Sequence, residues 1–273
     1  MSLHPRVAIV TGGGRGVGRA MALALAEAGG RVIVSAAREK AELEAVADDA
    51  ERRFGERRVL PLVADVTRED DCARLVSAAT DRFGRLDVLV NNAGRGIKSV
   101  SETFITEPTR FWDVAPATWR MVIDTNVVGP FLMARAAAPV MIAAGWGRIV
   151  NISMNHETMR RRGFSPYGPS KAALESETII WAQDLAGTGV TVNALLPGGA
   201  TLTGMIPAGA AAAMRGRLLD PAIMGPPVVW LASEGSGGVT GRRFVATRWR
   251  TDLREAEAAD AAADMAGWTQ SGL

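Results

Sequence analysis

The chain has 273 residues, 48% hydrophobic and 22% charged, which is enough apolar material for a buried core and excludes a disordered chain. Its 31 Lys and Arg nearly balance its 29 Asp and Glu, so the pI near 9.1 reflects arginine enrichment and argues against a nucleic-acid partner. One cysteine, Cys72, and two histidines, His4 and His156, exclude an internal disulfide and offer no metal-ligand cluster.

In chain order, short β-branched runs alternate with longer helical patterns. RVAIVTG (6–12), RVIVSA (31–36), RVLPLVAD (58–65), LDVLVNN (86–92), GRIVNIS (147–153), VTVNALL (190–196) and RRFVAT (242–247) read as seven strands. Most are apolar throughout, as strands covered on both faces of a parallel sheet must be. GRAMALALAEAG, EKAELEAVADDAERRFG, REDDCARLVSAATDRFG, PATWRMVIDTNVVGPFLMARAAAPVMIAAG and PYGPSKAALESETIIWAQDLAG carry apolar residues at helical spacing and stop at glycine. The alternation predicts an α/β, three-layer, doubly wound Rossmann fold with a seven-stranded parallel sheet, a single domain over 1–250. Two loops break the rhythm, 95–115 with Phe104, Phe111 and Trp112, and the Gly-, Pro- and Ala-rich 199–227. Loops of that length are lids or binding loops in compact domains. The acidic, Ala-rich tail predicts a helical extension over 251–273. No run approaches eighteen apolar residues and MSLHPRVAIVTGG holds no secretory signal, so a soluble, cytoplasmic protein with no membrane partner is expected.

TGGGRGVG (11–18) follows the first strand and opens the first helix. Glycines at Gly12, Gly16 and Gly18, with Val17 between the last two, let the backbone turn tightly against a pyrophosphate at the helix N-terminus. At the end of the second strand an acidic residue would suit the ribose hydroxyl of NAD. This chain has Ala36, Ala37 and Arg38 there, with Arg15 in the loop, which suits the 2′-phosphate of NADP.

Further on, Tyr167, the one tyrosine of the chain, stands four residues before Lys171 and so on the same helix face. A phenol near pKa 10 needs a neighbouring cation to serve as a base at neutral pH. TGGGRGVG, NNAG at 91–94, Asn126 in DTN, YGPSK at 167–171 and Pro197-Gly198 occur in this order. As a group they resemble the short-chain dehydrogenase/reductase family, over residues 5 to 247.

The resemblance implies hydride transfer between the nicotinamide of NAD(P) and a carbonyl or secondary alcohol. Tyr167 would exchange a proton with the substrate oxygen. Lys171 would bind the nicotinamide ribose and depress the phenol, and Asn126 would hold a relaying water. Asp65 and Val66 would flank the adenine, and Asn91, Asn92, Ala93 and Gly94 would line the cofactor. Beyond Pro197-Gly198, Ala200 with Thr201 or Thr203 would meet the carboxamide. The resemblance further implies a homodimer or homotetramer acting on a small molecule. A ketone, oxo acid or sugar-acid-like substrate is expected, with a 3-oxoacyl thioester as the alternative.

Three features depart from the family pattern. The serine expected thirteen residues before Tyr167 is Met154, and Ser153 lies one position early. A thioether donates no hydrogen bond. Either a bulge brings Ser153 into place as the catalytic hydroxyl, or Asn155 or another polar loop residue substitutes, or the chain is a cofactor-binding sensor without turnover. The segment between NNAG and Asn126 is about ten residues longer than in the plainest members, and Phe111 and Trp112 either cover substrate or anchor the loop. Finally, VATRW stands where many members place Gly-Gly, which leaves the C-terminal contact open. Arg160, Arg161 and Arg162 lie between Met154 and Tyr167, where they either meet an anionic substrate group or form a solvated face.

Overall fold

A computed structural model describes residues 1–207, 209, 212, 214 and 216–267. The strands are β1 (Val7–Thr11), β2 (Arg31–Ala36), β3 (Val59–Val63), β4 (Val88–Asn91), β5 (Gly147–Ile152), β6 (Val190–Leu196), β7 (Arg242–Val245) and β8 (Ala263–Met265). They form one sheet in the order β3-β2-β1-β4-β5-β6-β7-β8. All seven predicted strands are present and parallel, so the doubly wound α/β expectation holds.

The eighth strand was not foreseen. β8 runs antiparallel to β7, with Arg242 opposite Met265 and Phe244 opposite Ala263. Among its described residues the tail is therefore helical over Glu255–Ala262 and extended over Ala263–Met265. An uncovered β7 would present unpaired backbone groups at the sheet edge, and the returning tail satisfies them. Arg248 fixes the return through Asp264 at 2.6 Å, and Arg242 Nε donates to the Asp264 carbonyl at 3.1 Å. The extension expected over 251–273 lies partly outside the described residues, as does the loop 199–227.

Alternation along the strands divides the core into two layers. Ala8, Val10, Val32, Val34, Val88 and Val90 face the side covered by α1 (Gly16–Glu27), α2 (Lys40–Phe54) and the helix Gly225–Leu231. Val7, Ile9, Ile33 and Leu89 face the other side, with α3 (Glu69–Phe83) and α5 (Gly129–Ala143). The chain from Pro116 to Ala143 is one helical stretch, long and apolar enough to cross a membrane by length and composition. Here it serves the domain, because Met133, Ala137 and Met141 are fully buried in the second layer. Within it α4 (Pro116–Ile123) passes into α5 through a π turn, Asp124–Val128, and such turns concentrate at functional positions.

The strand order reverses between β1 and β4, so the loops leaving those strands part at their carboxyl ends. A crevice at that reversal is where open α/β sheets bind ligands. The long loop after β4 is tied down by Phe104, whose ring meets Phe164 edge-on at 6.1 Å, and by Thr109 Oγ1, which donates to the Gly163 carbonyl at 2.9 Å. Phe111 and Trp112 are 65% and 63% exposed and touch one another at 5.0 Å. Phe104, not this pair, is the anchor.

The helix α7 (Tyr167–Asp184) carries one ill-matched residue, Glu177, whose Oε2 is buried with no hydrogen-bond partner among the described residues. Burial pushes its carboxyl up to about 7. The folded state thus keeps a proton that the unfolded chain releases in the ordinary carboxylate range, near ~4.3. The resulting stability is full below that range and is lost as the pH rises through about 7. Glu177→Gln is therefore expected to raise the melting temperature by a few degrees at about pH 8 and to leave it unchanged near pH 4, as calorimetry at the two pH values will read.

Candidate active site

The turn after β1 is pinned before it reaches any ligand. Thr11 Oγ1, buried, accepts from the backbone N–H groups of Asn92 and Ala93, both at 3.0 Å, and donates to the Val90 carbonyl at 3.3 Å. Asn92 Nδ2 donates to the carbonyls of Thr11 and Gly12 at 2.8 and 3.0 Å. The two loops at the sheet reversal are thereby stapled together. Gly12 has φ +64°, and a Cβ on Gly18 would fall 2.2 Å from its carbonyl oxygen. Only a side-chain-free loop closes this way, and it leaves the α1 N-terminus bare for a pyrophosphate, with Gly16 and Val17 opening the helix. Gly18→Ala is expected to weaken nicotinamide-cofactor binding at least tenfold, as fluorescence titration will show, because the loop must shift to admit the methyl.

The other cofactor candidates fall around this cradle. Ala36 closes β2 and no carboxylate follows at Ala37; Arg38 is exposed there, and Arg15 Nη1 lies 3.4 Å from Glu42. Asp65 accepts from the backbone and hydroxyl of Thr67 at 3.0 and 2.8 Å, and Val66 is buried beside it. Asn91 is buried and donates to Asn151 Oδ1 at 2.9 Å. Beyond β6, Pro197 accepts from the Thr247 backbone at 3.0 Å, which is how the VATRW segment meets this turn. Thr201 is buried and turns its hydroxyl to the Gly199 carbonyl at 3.1 Å, and the carbonyl of Ala200 accepts from Leu219 at 2.8 Å. Thr203 instead stands over the cradle: a Cβ on Gly16 would lie 3.0 Å from its Cγ2.

Tyr167 and Lys171 open α7 on one face, as the spacing requires. Lys171 is buried, its Nζ donates to the Ile152 carbonyl at 2.7 Å, and a Cβ on Gly94 would lie 3.8 Å from it. Asn126, in the π turn, is fully buried. Its Oδ1 accepts from Arg95 N at 2.7 Å, while Nδ2 donates to the Arg95 carbonyl and to Ser170 Oγ, both at 2.9 Å. Ser170 in turn donates to the Tyr167 carbonyl at 2.7 Å. Asn126 thus ties the loop after Gly94 to the first turn of α7. Burial shapes both titrations, pushing the phenol up to about 12 and the Lys171 ammonium down to about 8. The expected depression of the phenol by Lys171 is not the governing effect here: desolvation is.

Ser153 has its hydroxyl turned into the domain. It is 4% exposed, and its hydroxyl donates at 2.6 Å to Glu175 Oε1, a buried carboxylate one turn beyond Lys171 on α7. Glu175 also receives Arg243 Nε at 3.2 Å, the Gly267 N–H at 3.0 Å and His156 Nε2 at 3.0 Å. Arg243 Nη2 further donates to the Met154 carbonyl at 2.9 Å. The bulge that would present Ser153 is absent, because β5 pairs regularly with β6 through Ile152 and the serine points into this cluster. Met154 is half-buried at the expected position. Arg160, Arg161 and Arg162 are exposed, with the Arg161 guanidinium 5.5 Å from the Phe164 ring.

Sequence reasoning passed over Thr11, Ser170, Glu175 and Arg243. Glu175 did carry a signal, a charge at the i+4 position from Lys171 on a face otherwise filled by Leu174 and Thr178. Arg243 was also visible, as a charge inside an apolar strand.

The comparisons agree with this geometry. A family model described as short chain dehydrogenase matches residues 6–211. A 3-oxoacyl-[acyl-carrier-protein] reductase of Synechocystis sp. is 37% identical over 197 residues, covering 72% of this chain and 75% of the relative. A cis-4-hydroxycyclohexanecarboxylate dehydrogenase of Sinomonas cyclohexanicum is 36% identical over 246 residues, covering 86% and 92%. Among solved structures, a 3-ketoacyl-(acyl-carrier-protein) reductase from Brucella melitensis complexed with NADH superposes with a TM-score of 0.75 at 30% identity, over 88% of this chain and 95% of that one. With a glycine cradle at the sheet reversal, a tyrosine–lysine pair beside it and these matches, the chain belongs to the short-chain dehydrogenase/reductase family of oxidoreductases.

Proposed function

We propose that this protein is an NADP-preferring carbonyl reductase or alcohol dehydrogenase acting on a small ketone, oxo acid or sugar-acid-like molecule. The observation that carries the reading is the Tyr167–Lys171 pair set beside Gly94, at the mouth of a cradle that fits a dinucleotide. The bound nicotinamide would supply or accept the hydride. Gly12, Gly16 and Gly18 would hold the pyrophosphate, Asn91 to Gly94 the nicotinamide side, and Lys171 the ribose hydroxyls. Tyr167 would pass a proton to the substrate oxygen in reduction and take it back in oxidation. A phenol raised to about 12 is fully protonated at neutral pH, which suits the acid role.

Arg38 after β2, and Arg15 in the glycine loop, support the NADP preference, because the β2 end offers no acid for a ribose hydroxyl. Michaelis constants for NADPH and NADH, with Arg38→Ala alongside, test it. NADPH should be preferred, and the variant should lose ~10–100-fold of that preference, the worth of charged hydrogen bonds of about 1.5–3 kcal/mol. Equal constants in the parent would overturn the preference. The run Arg160 to Arg162 near the cleft, and the carboxylate borne by the Sinomonas relative's substrate, support an anionic substrate. A 3-oxoacyl thioester is the second reading, favoured by the Synechocystis relative. The cofactor-binding sensor retains Met154 as its support and predicts tight NADPH binding with no turnover. A homodimer or homotetramer belongs to the same proposal. It is supported by exposed Val128, Phe131, Ile142 and Ile180 on the π turn, α5 and α7, and is read by sedimentation.

A further inference from the structure

A carbonyl oxygen that receives a proton from Tyr167 gathers charge as the hydride arrives, and a second fixed donor lowers the barrier. Met154 offers none. Ser153 offers none either, because its single proton is committed to Glu175. Turning that hydroxyl outward would strip a donor from a carboxylate that is 1% exposed and would cost a buried charge-assisted hydrogen bond. Three anchors hold the same segment in place: Ser153 Oγ and His156 Nε2 on Glu175, and the Met154 carbonyl on Arg243.

The residue enclosed by those anchors is Asn155. It is half-buried and extended, with φ −63° and ψ 138°, and precedes the short helix α6 (His156–Met159). Its Nδ2 donates one proton to the Gly198 carbonyl at 3.1 Å, in the turn the cofactor reading sets against the nicotinamide. A primary amide carries two protons on that nitrogen, so a second remains to be donated. The far end of α6 packs directly under the start of α7: a Cβ on Gly168 would fall 2.1 Å from the Met159 carbonyl oxygen. Asn155 is therefore held at the Gly198 turn, and the short helix it opens ends against the start of the helix that carries Tyr167.

We propose that Asn155, through the second proton of Nδ2, is the catalytic residue that takes the serine's place and steadies the substrate oxygen beside Tyr167. Glu175 is the positioning residue that makes the exchange necessary, by drawing Ser153 inward. The assignment rests on the oxidoreductase reading above and deepens it.

A crystal structure of the protein with NADP and isopropanol tests the geometry whether or not a good substrate is known. The oxygen hydrogen-bonded to the Tyr167 phenol, water or alcohol, should also lie within hydrogen-bond distance of Asn155 Nδ2, with Ser153 still on Glu175. Ser153 turned toward that oxygen, or Asn155 turned away from it, overturns the proposal. Kinetics with diacetyl and ethyl acetoacetate give the second arm. Asn155→Ala should lose about 10²–10³-fold in kcat, the range for one oxyanion donor, while NADPH affinity read by fluorescence falls far less, by the loss of the Gly198 contact alone. Adding Met154→Ser should recover at least tenfold in the Asn155→Ala background and gain under threefold in the parent, where a merely structural role for Asn155 would give the same gain in both. A kcat loss under threefold, a loss of NADPH affinity as large as the loss of kcat, or no recovery counts against Asn155. An active Tyr167→Phe variant would instead sink the oxidoreductase reading itself, so the two failures are distinguishable.

Discussion

Tyr167→Phe is expected to lower kcat by about 10²–10⁴-fold while leaving NADPH affinity within about twofold, as steady-state kinetics and fluorescence titration will read. The substitution removes one hydroxyl and keeps the ring, so α7 still begins where it does and Lys171 keeps its bond to Ile152. What disappears is the proton that must reach the substrate oxygen. The same chemistry sets a pH limit. Lys171 is held down to about 8 by burial, so its positive charge fades as the pH rises through that value. In reduction kcat/KM should therefore be level through neutrality and fall above about pH 8. Lys171→Arg keeps its charge at every accessible pH and should abolish that descending limb, at a cost in rate from the changed shape. A limb that stays at the same pH in the arginine variant would remove Lys171 from the role.

Glu175→Ala carries the largest expected effect on stability. Arg243 is 5% exposed and its Nε rests on Glu175, so truncation leaves a buried cation without its carboxylate. Breaking a buried pair from one side costs about 3–5 kcal/mol. Chemical denaturation should show a loss of that size. Glu175→Gln keeps the shape and one acceptor and should retain more of the stability. The double variant Glu175→Leu with Arg243→Met, which removes both charges, should recover most of it. A Glu175→Ala loss under about 1 kcal/mol would mean that the cluster is solvated and not a structural centre.

The fold was legible because its signals are local and periodic. Seven apolar runs, helices ending at glycine and a glycine loop at the first strand end are patterns within short windows, and each proved to be where it was expected. The eighth strand was invisible because ADM carries no strand pattern of its own; it exists because β7 offers an edge. At the site, Tyr167, Lys171, Asn126 and Gly94 converge as the motif order implied. Ser153 could not be placed from spacing, since its direction is set by Glu175 and Arg243, which lie 22 residues away and on another strand. Phe104 was grouped with its aromatic neighbours for the same reason. Only the contact with Phe164 separates it from exposed Phe111 and Trp112.

The bond between that loop and its partner has a consequence for altering selectivity. Because Phe104 meets Phe164 and Thr109 holds the Gly163 carbonyl, the long loop and the arginine-bearing loop form a single wall. Grafting either loop alone from a relative would leave half of a joint exposed. A chimera that exchanges both together keeps the joint, so substrate preference in this protein should be inherited as one cassette drawn from two distant stretches of sequence.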